Sequence, residues 1–212
     1  MSTQLALRKR NHAAGLCRCG ATPRPTLKNC DKCIARVVVR NRRQMAACRQ
    51  TVFSHYGQIC VHCGITEPQF LSLDHIHGGG REHMKSVGYG RQFYKWVISN
   101  NYPSILQVLC FNCNCGKERA VPATSEAKSR HKLRIEVIAA YGGKCPCPCG
   151  ESKMRCLTLD HVNNDGAAHR KSIGYACSAS TYRWARSNNY PASLRVLCWN
   201  CNMSRQIYAG GI

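Results

Sequence analysis

Apolar positions fall along the chain in a signature that occurs twice. A short strand-like run, Phe70-Leu71-Ser72-Leu73, returns as Leu157-Thr158-Leu159, and each is followed at once by Asp-His. Ahead of each run the pattern predicts a helix that stops at Tyr-Gly, Tyr56-Gly57 and Tyr141-Gly142, where glycine can end it. The first of these helices draws on residues 35–55. Its Val38, Val39, Met45, Ala46 and Phe53 suit a packing helix with solvated arginines, whereas Arg36, Arg40, Arg42 and Arg43 equally suit a surface that touches phosphate. Helix-like runs carrying Tyr94 with Trp96, and Tyr182 with Trp184, follow the strand-like runs, and their aromatics read as core. Asn100-Asn101 and Asn188-Asn189 stand just before Tyr-Pro and read as helix ends, not metal ligands. Residues 120–130, with Pro122, Ser125 and Ser129, lack periodicity and read as a linker.

The recurrence extends from Leu73 to Asn114 against Leu159 to Asn202. Gly80, His83, Lys85, Ser86, Gly88 and Tyr89 come back as Gly166, His169, Lys171, Ser172, Gly174 and Tyr175. The match is tightest at its end, where Val108-Leu109-Cys110-Phe111-Asn112-Cys113-Asn114 faces Val196-Leu197-Cys198-Trp199-Asn200-Cys201-Asn202. A duplication explains this and sets the expected organisation: residues 1–34, then a first module over 35–119, a linker over 120–130, and a second module over 131–212.

Charge narrows the partner. Thirty-one Lys and Arg against ten Asp and Glu leave a formal +21 on 212 residues, which points to a polyanion, DNA with RNA as the alternative. A membrane is not expected: no stretch is long and apolar enough to span one, and the first ten residues hold only the Leu5-Ala6-Leu7 patch, so an intracellular protein is expected.

Seventeen cysteines, most of them closely paired, read as metal ligands in preference to disulfides. Cys60 and Cys63 with Cys110 and Cys113 form two C-x-x-C knuckles, a closed four-thiolate set that suits structural zinc and leaves no open position for substrate. The second module keeps Cys198 and Cys201, but Cys145, Cys147 and Cys149 alternate with prolines. Cys145 and Cys149 are the expected ligands, with Cys147 competing. Cys17 and Cys19 with Cys30 and Cys33 make a third knuckle, so about three zinc ions are expected. Cys48, Cys115, Cys156 and Cys177 read as buried or free thiols.

An Asp-His pair closing a strand points its two side chains to opposite faces, so one can bind metal while the other activates water. Asp74 with the amide oxygen of Asn114 offers hard oxygen ligands for Mg2+ or Mn2+, and Asp160 with Asn202 repeats the set. His83 and His169 are read either as groups that orient a scissile phosphate or as side chains in a structural hydrogen bond or exposed to solvent. For the Asp-His pairs the alternative is a polar pair that props the zinc thiolates.

The combination C-x-x-C, Leu-Asp-His and Val-Leu-Cys-x-x-Cys-Asn resembles the HNH, or His-Me finger, endonucleases, including the phage recombination endonuclease VII type. The resemblance covers most of residues 56–119 and 141–205. It implies an α+β fold, two zinc-stapled ββα-metal modules each interrupted by an inserted helix, behind a zinc knuckle and a basic helix. It also implies that His75 and His161 are general bases and that Asp74, Asn114, Asp160 and Asn202 hold a catalytic divalent ion; two sites in one chain suggest an internal pseudo-dimer. Such a protein belongs in the cytoplasm or nucleoid of a bacterial, archaeal or phage-infected cell. Where many HNH sequences carry an asparagine shortly before the second knuckle, this chain reads Ile105-Leu106-Gln107 and Ser193-Leu194-Arg195. The competing class is a non-catalytic zinc-stabilised binder of nucleic acid.

Overall fold

The structure is a computed structural model that describes residues 3–117, 124–174 and 178–207. It divides into two compact units, Met1–His55 with Gly79–Pro103, and Tyr56–Gly78 with Ser104–Ile212.

The first unit is helical: α1 (Thr3–Ala13), α2 (Asp31–Tyr56), α3 (Gly80–Val87) and α4 (Arg91–Ser99). The N-terminal knuckle sits on the start of α2, with Cys30 just before it and Cys33 in its first turn. At 1.5 Å per residue the 26 residues of α2 run about 39 Å. Only Cys33 near one end and Val52 and Phe53 near the other are buried, and Val38 and Val39 are 42% and 48% exposed. The packing expected of Val38 and Val39 is therefore not seen, and of the apolar residues named for packing only Phe53 is buried. The far end is anchored by Phe53 edge-on to Tyr94 at 6.3 Å, by the Arg49 guanidinium 4.1 Å over the Phe53 ring, and by His55 stacked on Tyr102 at 4.0 Å.

The second unit carries both strand pairs. Strand β1 (Leu71–His75) runs antiparallel to β2 (Leu106–Cys110), which leads directly into α5 (Phe111–Cys115). After α6 (Ser125–Ala140), β3 (Leu157–His161), α7 (Gly166–Ser172) and α8 (Ser178–Ser187), β4 (Leu194–Cys198) pairs with β3 and leads into α9 (Trp199–Ile207). The registers are the same in both: Leu71 faces Cys110 and Asp74 faces Gln107, as Leu157 faces Cys198 and Asp160 faces Arg195. Short turns, Pro68–Phe70 and Met154–Cys156, precede β1 and β3. Leu157, Val196 and Leu197 pack with Ile138 of α6, while Leu133 and Val137 close on Ala185 and Leu194.

Two expectations change. Each strand pair is interrupted by two helices, not one, because glycines at positive φ punctuate the insert: Gly88 (98°) and Gly90 (59°) between α3 and α4, and Gly174 (62°) after α7. Helix α6 begins at Ser125, inside the segment read as a linker. Thr124 caps it by accepting from the Ala127 N–H at 3.2 Å, and residues 120–123 of that segment lie outside the described residues.

The two strand pairs are joined through equivalent elements, α5 against α9, α5 against Met154–Cys156, and α9 against Pro68–Phe70. At the centre Asn112 N–H donates to Asn200 Oδ1 (2.9 Å) and Asn200 N–H donates to Asn112 Oδ1 (3.0 Å). Each asparagine is the second residue of its helix, where the backbone N–H has no partner within the helix, so each helix caps the other. Such a self-complementary contact is how two copies of one module meet about a two-fold axis.

Candidate metal centres and active site

Among the described residues three groups of four cysteines could each hold a metal ion: Cys17, Cys19, Cys30 and Cys33; Cys60, Cys63, Cys110 and Cys113; Cys145, Cys149, Cys198 and Cys201. Within each, the sulfurs lie inside 4.8 Å of one another. A tetrahedron of 2.3 Å Zn–S arms has edges of about 3.8 Å. The closest pairs match it: Cys19–Cys30 at 3.5 Å, Cys63–Cys110 at 3.6 Å, Cys149–Cys201 at 3.7 Å and Cys149–Cys198 at 3.8 Å. Local backbone builds each half-site. Cys110 and Cys198 precede short helices and accept the N–H of Cys113 and Cys201, both at 3.4 Å. Cys147 lies outside the group of four, with its thiol close to Cys145 and Cys201.

The acidities point the same way. The backbone N–H groups of Cys19 and Cys30 lower Cys17 to about 6, and the Cys201 thiol lowers Cys198 to about 5. The thiols of Cys19 and Cys17 raise Cys33 to about 11, and burial raises Cys110 and Cys149 to about 11. Crowded sulfurs oppose full ionisation unless a cation sits among them. The donor sets fit about three closed structural zinc sites.

The polar residues of the repeat lie on the strand pairs. Side chains alternate along β1, so Ser72 and Asp74 share one face. Helix α5 is tied to that face: Asn114 Nδ2 donates to Ser72 Oγ at 3.0 Å, and Lys117 Nζ reaches both Asp74 oxygens at 2.6 Å. Gln107, the cross-strand partner of Asp74, donates to Oδ2 at 2.9 Å. In the second repeat Asp160 Oδ2 accepts from Arg195 Nε at 2.9 Å and from Arg205 of α9. Asp74 and Asp160 are both buried, as are His75 and Asn202.

His161, at the end of β3, meets His169 of α7 with Nε2 2.8 Å from Nδ1. His169 stands edge-on to Trp184 at 4.1 Å, and its Nε2 has no hydrogen-bond partner among the described residues. Gly166 begins α7 here for a steric reason: a Cβ on it would fall 2.8 Å from His161 Nδ1. Burial first, and then His169, hold the His161 pKa below the usual imidazole range, so the ring is neutral and can accept a proton. In the first unit His83 makes the corresponding edge contact with Trp96 at 4.2 Å. Asn100 and Asn188 end helices, each Nδ2 donating at 2.8 Å to the carbonyl of Trp96 or Trp184.

The basic residues singled out in the sequence are at the surface. Arg36, Arg40, Arg42 and Arg43 are exposed along α2, Lys171 is exposed on α7, and Lys85 is exposed and paired with Glu82 at 3.0 Å. Sequence reasoning missed Lys117 and Arg205, which follow the helix asparagine by three residues in both repeats, and the asparagines inside the C-x-N-C knuckles, which recur as plainly as the cysteines around them. No described helix is long and apolar enough to cross a membrane. No family model, curated protein or solved structure matches the chain.

Proposed function

We propose that this protein is a metal-dependent endonuclease of the HNH type that hydrolyses phosphodiester bonds of DNA, its modules stapled by about three zinc ions. One observation carries the reading: in each repeat a strand ends in Asp-His, and the helix leaving the second cysteine pair with an asparagine is tied to the aspartate's face of that strand. Asp74 with Asn114, and in the other repeat Asp160 with Asn202, are the oxygen donors available to a hard divalent ion. Such an ion, when bound, neutralises charge developing on the phosphate.

The chain supplies the rest. His75 or His161 accepts a proton from water as the water oxygen bonds to phosphorus; the bond from phosphorus to the leaving oxygen breaks, and that oxygen takes a proton from solvent. His169 holds the His161 ring by its hydrogen bond and acts as a positioning residue. The exposed arginines of α2, together with Lys85 and Lys171, supply positive charge for the DNA backbone.

The test is incubation of supercoiled plasmid with the zinc-loaded protein and Mg2+ or Mn2+. Cleavage is expected, and it should disappear with excess chelator and in the double variant His75→Ala/His161→Ala. Binding without cleavage under either metal would overturn the nuclease reading in favour of a zinc-stabilised DNA-binding protein.

A further inference from the structure

The two repeats differ where their candidate ion sites should be most alike. Asp74 faces a neutral cross-strand partner, Gln107, whereas Asp160 faces Arg195. Among the described residues the first carboxylate therefore meets one cation, Lys117, and the second meets two, Arg195 and Arg205. Two guanidiniums leave a net positive charge around Asp160.

The cations also differ in how firmly they are held. Among the described residues the Lys117 ammonium donates only to Asp74, and its side chain is 39% exposed on a flexible stem, so it can swing into solvent when another cation takes the carboxylate. Arg205 is fixed at three acceptors. Besides Asp160 it donates to the Val162 carbonyl at 2.6 Å and to the His161 carbonyl at 3.4 Å, and Arg195 grips the same carboxylate oxygen from the neighbouring strand. An ion entering at Asp160 must displace or sit beside two positive charges, one of them fixed at three acceptors; one entering at Asp74 meets, among the described residues, a single lysine held by that carboxylate alone.

We propose that the catalytic divalent ion binds at Asp74 and not at Asp160, so that the first module cuts while the second, its acid closed by Arg195 and Arg205, holds nucleic acid without cutting. The proposal rests on the nuclease reading, and its direct readout is ion stoichiometry instead of activity. Zinc-loaded protein is titrated with Mn2+, and free Mn2+ is followed by electron paramagnetic resonance. One ion per chain is expected, abolished in Asp74→Asn and kept in Asp160→Asn. The exchange variants make the case without truncating a buried group. Arg195→Gln removes one of the two opposing charges and should open a second site, with affinity at least about tenfold above wild type there. Gln107→Arg should close the first. Two equivalent ions in the wild type, or a single ion that disappears in Asp160→Asn, overturn the proposal and leave the nuclease reading standing. No Mn2+ bound by either the wild type or Arg195→Gln overturns both.

Discussion

Replacing Asn112 with alanine removes the acceptor for the Asn200 N–H, and the two directions of this clasp predict unequal costs. Asn200 is 4% exposed, so its N–H, stripped of a partner at the second position of α9, has no ready access to water. Losing a side-chain cap costs roughly 1 kcal/mol, and a buried N–H left unsatisfied costs about 1–3 kcal/mol. Asn112→Ala should therefore destabilise the second unit by about 2 kcal/mol. The reverse change, Asn200→Ala, orphans the N–H of the half-buried Asn112, which water can reach, and should cost about 1 kcal/mol through that bond. Urea unfolding of the zinc-loaded protein, followed by tryptophan fluorescence, reads both, because Trp199 adjoins Asn200. Equal midpoints for wild type and Asn112→Ala would refute the idea that this pair joins the modules, and a larger loss for Asn200→Ala would refute the burial argument.

Further outcomes follow from the same geometry. Denaturing the metal-loaded protein in the presence of a chromogenic chelator should release about three zinc ions per chain; Cys147→Ser should leave that number unchanged, and Cys149→Ser should lower it by one or weaken that site. Because the folded-state pKa of His161 is held below its ordinary 6.5, the unfolded chain binds the proton more readily, so stability is complete above that value and falls as pH drops below it. His161→Gln should flatten the dependence, as urea midpoints between pH 5 and 8 would record; an unchanged slope contradicts the assignment. Replacing Arg36, Arg40 and Arg43 with glutamine should weaken DNA binding and reduce the log–log salt slope by about 0.9 for each phosphate that is no longer neutralised. A slope equal to wild type would place the DNA elsewhere.

The duplication, the three cysteine groups and the strands ending in Asp-His were legible because each depends on local spacing. Even in the irregular Cys145-Pro-Cys-Pro-Cys149 run the expected pair was the outer one, and the structure gathers Cys145 and Cys149 while leaving Cys147 outside the four. What was not legible depends on long-range placement. Periodicity marks α2 as amphipathic but cannot say that its middle stays open to solvent. The Asn112–Asn200 clasp spans 88 residues, and nothing local distinguishes a knuckle asparagine that caps another helix from one that caps its own. The ion pairs of Lys117 and Arg205 emerge only once α5 and α9 lie across the strands. The missing middle asparagine drew attention to the stretch around Gln107 and Arg195, yet its consequence is electrostatic: a neutral partner for one aspartate and a charged one for the other.

The central claim is chemical, and the most direct measurement compares wild-type protein with His75→Ala on supercoiled plasmid in Mg2+. The account predicts nicked circles from the wild type and none from His75→Ala, with His161→Ala close to wild type. Equal cleavage by wild type and His75→Ala, or none by the wild type, would contradict it.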